Sequence, residues 1–213
     1  MLHRNRESVT RELALLGAIG LSQQTRHAQA PIVKAQIAAL EYAARETSIR
    51  AASAPELDQI GHVLTSNMSA GFALELGLKL FYMTFAPKGP PPTHSLSDLY
   101  AGCPRQVCGD IDETYRSNLP TTSIRMYGLR TSPTRPAAPT ATAGSSCENA
   151  FSFFDSTDLI FVQARYFFEK VDDVDWSIID HPIDHMLQMS NVLRVVYDAY
   201  GEHGGWSGDH FRS

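Results

Sequence analysis

A long stretch of helical pattern, closed by a proline-rich break, is the feature that most constrains how this chain folds. From about residue 55 to residue 85, apolar residues recur at three- to four-residue steps, which is typical of an α-helix with one buried face. The segment Pro87–Pro92 ends that helix, because proline lacks the backbone N–H and fixes φ. Thr93 or Ser95 can then cap a new short helix through its hydroxyl. The pattern therefore predicts helix, break and helix.

The remainder of the chain follows the same helical period. Further helices are predicted over 31–52, 105–117, 147–170 and 182–200, with Pro31 in the first turn of its helix. We expect Phe151, Phe154 and Leu159 on one aromatic-rich face of the helix over 147–170. No segment has a strand pattern of useful length, and no internal repeat is found. The sequence therefore predicts an all-α fold, a helical bundle of about five to seven helices.

The expected domain organisation is a single helical domain over residues 1–213, with a core from about 30 to 200. Residues 118–147 are rich in Pro, Thr and Ala without an apolar period, which favours a long flexible loop. That loop is either a surface insertion without a role, or a lid or partner-binding segment. Residues 201–213 are glycine-rich and predict a frayed tail. Residues 13–21 predict a short first helix, too short to span a membrane and unlike a targeting signal.

Charge and cysteine content exclude some functional classes. The net charge of −5 gives no overall attraction for a nucleic acid, although a local basic patch stays possible. Three cysteines (Cys103, Cys108 and Cys147) without zinc-ligand spacing favour reduced, buried or half-buried thiols in a cytoplasmic protein. His181 and His185 have metal-ligand spacing, yet a solvated helix end is the favoured interpretation. We expect no metal and no cofactor.

Charged residues inside apolar helical patterns mark the candidate site. Glu75 and Lys79 are four residues apart, the spacing of an ion pair on one helix face, and His94 follows the break, from which it can fold back. Either such residues only tie helices together through paired charges, or they form a small polar pocket that contacts phosphate or base. The candidate ligand-binding residues are Glu75, Lys79, His94, Arg165, Tyr166 and Glu169.

Three segments in order resemble HEPN-domain proteins. They are Ala73-Leu-Glu-Leu-Gly-Leu-Lys79, then Thr93-His-Ser-Leu-Ser-Asp-Leu-Tyr100 after the break, then Ala164-Arg-Tyr-Phe-Phe-Glu169. The resemblance covers roughly residues 30–200. It implies a helical bundle of bacterial defence or toxin–antitoxin systems, often a homodimer, with RNA or a nucleotide as ligand. Many such proteins are metal-independent ribonucleases with an Arg-x4–6-His motif, and this chain lacks a histidine at that spacing after Arg165.

Three functional hypotheses follow. The first is a HEPN-like bundle that binds RNA, a nucleotide or a protein partner in a stress or defence setting, without the standard ribonuclease activity. The second is a metal-independent endoribonuclease in which His94 moves the proton of the 2′-hydroxyl and Arg165 stabilises the developing phosphorane charge. The third is a structural dimerisation module whose polar cluster only fixes packing. None of the three requires a membrane.

Overall fold

The computed structural model describes residues 23–86, 88–120, 124–130, 147–170 and 176–202. Within these residues it contains six helices and two short strands. The elements, in chain order, are α1 (Gln23–Ala51), α2 (Glu56–Phe85), α3 (Leu96–Ala101), α4 (Arg105–Ser117), β1 (Arg125–Arg130), α5 (Ala150–Lys170), β2 (Trp176–His181) and α6 (Ile183–Glu202). The predicted all-α class and the predicted number of helices are confirmed.

Helix α2 is the central helix of the bundle, and α1, α3, α5 and α6 pack against it. The sequence pattern predicted one apolar face, and the structure buries a broad face of α2 while a stripe along the helix stays exposed or half-buried. Val63, Leu74 and Leu78 are fully buried, whereas Thr65 is exposed and Phe72 is half-buried. A broad apolar face allows one helix to pack against several neighbours.

Glycines on α2 allow two neighbouring helices to approach closely. A Cβ atom on Gly71 would overlap the ring of Phe161 on α5, and one on Gly77 would lie 3.0 Å from Leu193 on α6. Gly61 has no neighbour within 4 Å of such an atom. Gly71 and Gly77 therefore allow close packing of α5 and α6 on α2, whereas Gly61 has no such role.

The two strands form a small antiparallel sheet that the sequence pattern did not predict. Arg125 pairs with His181 at one end and Arg130 pairs with Trp176 at the other. Strand β1 lies inside the segment 118–147, so residues 125–130 of the predicted loop are ordered as a strand. The sheet places the start of β1 beside the start of α6.

Several local predictions need correction. Helix α1 begins at Gln23, so Pro31 lies inside the helix and not in its first turn. On α5, Phe154 is buried as predicted, but Phe151 and Leu159 are exposed, and Phe153 and Phe161 are buried instead. The predicted short helix over 13–21 lies outside the described residues. Of the predicted frayed tail over 201–213, the first two residues belong to α6, and residues 203–213 lie outside the described part of the chain.

The cysteines contribute to packing, as predicted. Cys103 is buried, and Cys108 and Cys147 are half-buried, all three as free thiols. The Cys108 thiol donates to the carbonyl of Tyr100 at 3.2 Å, and burial raises its pKa to about 11. A thiol with a raised pKa is a poor nucleophile at neutral pH.

Candidate functional site

A buried carboxylate on α2 joins three of the predicted site residues. Glu75 lies in the middle of α2, and its side chain is only 6% exposed. Its Oε1 atom accepts hydrogen bonds from Lys79 Nζ at 2.7 Å and from His94 Nδ1 at 2.9 Å. The structure therefore brings these residues together in one group, named here the Glu75 cluster (Glu75, Lys79 and His94).

The proline-rich break turns the chain back so that His94 reaches Glu75. Helix α2 ends at Phe85, and Gly89 in the break has a φ of 76°, a conformation that glycine adopts without strain. Ser95 then caps α3, because its side chain accepts the backbone N–H of Asp98. His94 is thus held between a turn and the start of a helix.

Asp158 on α5 fixes the start of α3 directly after His94. Its carboxylate accepts the backbone N–H groups of Leu96 at 2.6 Å and Ser97 at 3.0 Å. It also accepts the hydroxyl groups of Ser95 at 3.0 Å and Ser97 at 2.7 Å. A carboxylate at a helix N-terminus satisfies unpaired N–H groups and interacts favourably with the helix dipole. Asp158 was not among the predicted site residues, because nothing local to it indicates a partner so distant in the chain.

The hydrogen bonds determine how the His94 imidazole is presented. A carboxylate oxygen only accepts, so Nδ1 carries the proton that it donates to Glu75. The side chain of His94 is 64% exposed, so the ring edge that carries Nε2 faces outward. The second carboxylate oxygen of Glu75, Oε2, is buried without a hydrogen-bond partner among the described residues. The cluster thus combines a fixed, exposed imidazole with a buried, incompletely satisfied carboxylate.

An open groove of about 380 Å³ lies beside the cluster, with Glu75 in its wall. The other lining residues come from α1 and α2 and include Leu40, Phe72 and Leu76. The groove is therefore mainly apolar, with one acidic group. The predicted site residues Arg165, Tyr166 and Glu169 belong to α5, but their side chains lie outside the described part of the structure. Their proposed roles stay predictions.

A second polar network is buried at the junction of α1, α2 and β2. His181 is 1% exposed; its Nδ1 lies 2.7 Å from Asn67 Oδ1 and its Nε2 lies 2.9 Å from Ser48 Oγ. Asn67 Nδ2 donates to the carbonyl of Asp180 at 2.8 Å, which fixes the amide orientation. Nδ1 of His181 is therefore the donor, and Nε2 accepts the proton of Ser48.

This network corrects the prediction that His181 and His185 form a solvated helix end, since both are buried. Burial, together with the nearby charge of Arg125, lowers the pKa of His181 to about 4, so the ring is neutral at pH 7. Among the residues that the structure describes, no group of three or more His, Cys, Asp or Glu side chains is placed to hold a metal ion.

A cavity of about 520 Å³ between α1, α6 and the start of β1 is lined by Arg45, Arg125 and Arg194. We name it the arginine cavity. Its three arginines are distant in the chain and share no motif, so no local pattern of residues indicates this cavity. Only the packing of α1 on α6 and the pairing of β1 with β2 bring these residues together.

Comparisons of this chain with protein-family models, with curated proteins and with solved structures find no match. Across the helices that the structure describes, none combines the length and the apolar character needed to cross a membrane. By its fold and its candidate site, the protein is an all-α bundle with a polar cluster on its central helix.

Proposed function

We propose that this chain is a HEPN-like helical bundle that binds RNA or a nucleotide at the Glu75 cluster. One observation carries the proposal: the buried Glu75 carboxylate orients the exposed His94 ring through a 2.9 Å hydrogen bond. Burying a carboxylate costs free energy unless it is paired, so the Glu75 cluster lowers the stability of the fold unless its hydrogen bonds offset that cost. An oriented, exposed imidazole is suited to bind a phosphate oxygen or a base edge.

The surroundings of the cluster fit this ligand class. Nε2 of His94 donates to a phosphate oxygen when the ring is protonated, and it accepts from a base N–H or a 2′-hydroxyl when the ring is neutral. Phe72 and Leu76 in the adjoining groove supply apolar surface against which a base can pack. Lys79 Nζ binds the same Glu75 oxygen as His94 Nδ1, so its ammonium group is held within the cluster by an ion pair.

The test is fluorescence anisotropy of a labelled single-stranded RNA, with a labelled adenine nucleotide as a second probe. We expect wild type to bind and His94→Ala to bind about tenfold more weakly, the effect of losing one charge-assisted hydrogen bond. His62→Ala is the matched control, since His62 is a half-buried histidine on α2 outside the cluster. No binding by wild type, or equal binding by wild type and His94→Ala, removes the proposal and leaves a protein partner or a structural role.

A second candidate is metal-independent ribonuclease activity at the same cluster. The favouring observation is that Glu75 holds the proton on Nδ1 of His94, which leaves Nε2 as a general base. In this reaction Nε2 takes the 2′-hydroxyl proton while O2′ bonds to phosphorus. The bond from phosphorus to O5′ breaks, and O5′ takes a proton from a water molecule, whose hydroxide then removes the proton from Nε2. The product is a 2′,3′-cyclic phosphate.

Cleavage is assayed in the presence of a chelator, with wild type, His94→Ala and His62→Ala compared side by side. Cleavage by wild type and His62→Ala that is lost in His94→Ala supports this second candidate. Absence of cleavage, or cleavage that His94→Ala leaves unchanged, excludes it while leaving the binding proposal intact.

A further inference from the structure

The arginine cavity carries an excess of positive charge in a chain whose net charge is −5. Three arginines line it, against two carboxylates, Glu41 and Asp184. Within the described part of the chain, no carboxylate forms an ion pair with Arg45 or Arg125. Arg194 Nη1 lies 4.0 Å from Glu41 Oε2, a long contact, and its Nη2 donates to Asn191 Oδ1 at 2.6 Å. Among the described residues, Arg45 and Arg125 therefore have no carboxylate that neutralises them, whereas Arg194 is paired with Glu41.

The charge of Arg125 affects the pKa of the buried His181 next to the cavity. His181 pairs with Arg125 across the sheet, and this arginine is one of the causes that lower the pKa of the buried ring to about 4. Ser48, which lines the cavity, is hydrogen-bonded to the same ring. Because His181 stays neutral at pH 7, it adds no charge of its own, and the positive potential of the cavity comes from the arginines.

The volume of the arginine cavity and the residues that line it limit the class of ligand that it can bind. A cavity of about 520 Å³ falls in the range that small molecules and cofactors occupy. A guanidinium group matches the geometry of phosphate oxygens and binds them through paired hydrogen bonds. Ile49, Ile183 and Leu187 supply apolar wall. Glu41 Oε1 is buried without a hydrogen-bond partner among the described residues, so it is an acceptor for an N–H donor.

We propose that the arginine cavity is a second binding site, for a phosphate monoester on a body of nucleoside size that carries an N–H donor. The phosphate binds Arg45 and Arg125, the body packs on the apolar wall, and the N–H group donates to Glu41. This site is separate from the Glu75 cluster, and His94 does not line it. The same chemistry occurs in a free mononucleotide and in the 5′-terminal phosphate of an RNA.

The experiment is isothermal titration calorimetry with inorganic phosphate, adenosine, adenosine monophosphate, and one short RNA with and without a 5′-phosphate. We expect adenosine monophosphate to bind at least tenfold more tightly than adenosine or inorganic phosphate. Tighter binding of the phosphorylated RNA than of its unphosphorylated form identifies an RNA end as a ligand, and equal RNA binding identifies the free nucleotide. Equal or absent binding of adenosine and adenosine monophosphate overturns the proposal.

Variants assign the binding to the cavity. Arg45→Gln and Arg125→Gln should each weaken adenosine monophosphate about tenfold or more, as expected for the loss of a charge-assisted contact to phosphate. Arg50→Gln is the matched control, because Arg50 is exposed on the same helix as Arg45 and does not line the cavity. An equal loss in Arg50→Gln overturns the site. Adenosine monophosphate binding that is lost in His94→Ala but kept in Arg45→Gln and Arg125→Gln would place the nucleotide at the Glu75 cluster and overturn the arginine cavity as its site.

Discussion

Replacing Asp158 by alanine tests how the segment that carries His94 is held in place. The carboxylate accepts two backbone N–H groups, from Leu96 and Ser97, at 2.6 Å and 3.0 Å. It also accepts the hydroxyl groups of Ser95 and Ser97. Alanine removes all four bonds and leaves the first turn of α3 without its main acceptor.

The expected loss of stability follows from these bonds. A hydrogen bond to a charged group contributes about 1.5 to 3 kcal/mol, and a carboxylate near a helix N-terminus adds about 0.3 to 1 kcal/mol. The bonds share one part-buried side chain, and water can reach some of the freed groups, so their energies do not add fully. We expect Asp158→Ala to lower the free energy of unfolding by about 3 kcal/mol, which in a chain of this length lowers Tm by roughly 6 to 12 °C.

The assay is urea unfolding followed by circular dichroism, with Asp155→Ala as the matched control. Asp155 lies on the same helix and is exposed, so its replacement should change stability by less than about 0.5 kcal/mol. Asp158→Asn keeps one acceptor oxygen and should fall between wild type and Asp158→Ala. If Asp158→Ala and Asp155→Ala lower stability equally, the carboxylate does not anchor α3 and the account of how His94 is positioned is wrong.

Three further predictions concern packing, pH and the buried ion pair. Gly71→Ala should lower the stability of the protein by about 1 to 3 kcal/mol, because the new methyl group meets an aromatic ring on α5. Gly61→Ala, where the new methyl group enters open space, should raise the stability by about 0.5 to 1 kcal/mol. Thermal melts in which both variants shift Tm in the same direction would contradict this packing. His181 has a pKa lowered from 6.5 to about 4, so only the unfolded chain takes up this proton as pH falls through that window. Wild type should therefore lose about 3 kcal/mol relative to His181→Gln between pH 7 and pH 4 in urea melts, and parallel pH profiles would refute this. Glu75→Gln combined with Lys79→Met should leave stability unchanged or higher, since a buried ion pair is replaced by neutral groups, yet weaken RNA binding; full binding by this variant would favour a purely structural cluster.

The helical frame was predictable because its signals are local. The proline-rich break and the helical period correctly predicted the ends of α2 and α4. Ser95 was one of the two residues predicted to cap α3. The Glu75–Lys79 pair also follows from spacing along one helix face. Such signals depend on residues within one or two helical turns of each other, so they can be recognised without knowledge of the tertiary structure.

The features that sequence did not predict depend on distant residues. Strand β1 forms only by pairing with β2, some 50 residues further along the chain, as the pairing of Arg125 with His181 shows. Asp158 and the arginine cavity likewise need helices that are far apart in sequence. The sequence around His181 and His185 predicted a solvated helix end. The prediction was wrong because a local pattern does not reveal that a neighbouring sheet and two helices bury His181.

The most direct test of the Glu75 cluster as a ligand site is the imidazole ¹⁵N NMR spectrum of His94 during titration with a short single-stranded RNA. The signals of His94 are assigned by comparison with His94→Ala. The account predicts that the Nε2 resonance shifts progressively and saturably with RNA, while Nδ1 stays protonated through its bond to Glu75. An unchanged His94 spectrum at RNA concentrations that saturate the protein, or no binding at any concentration, would contradict it.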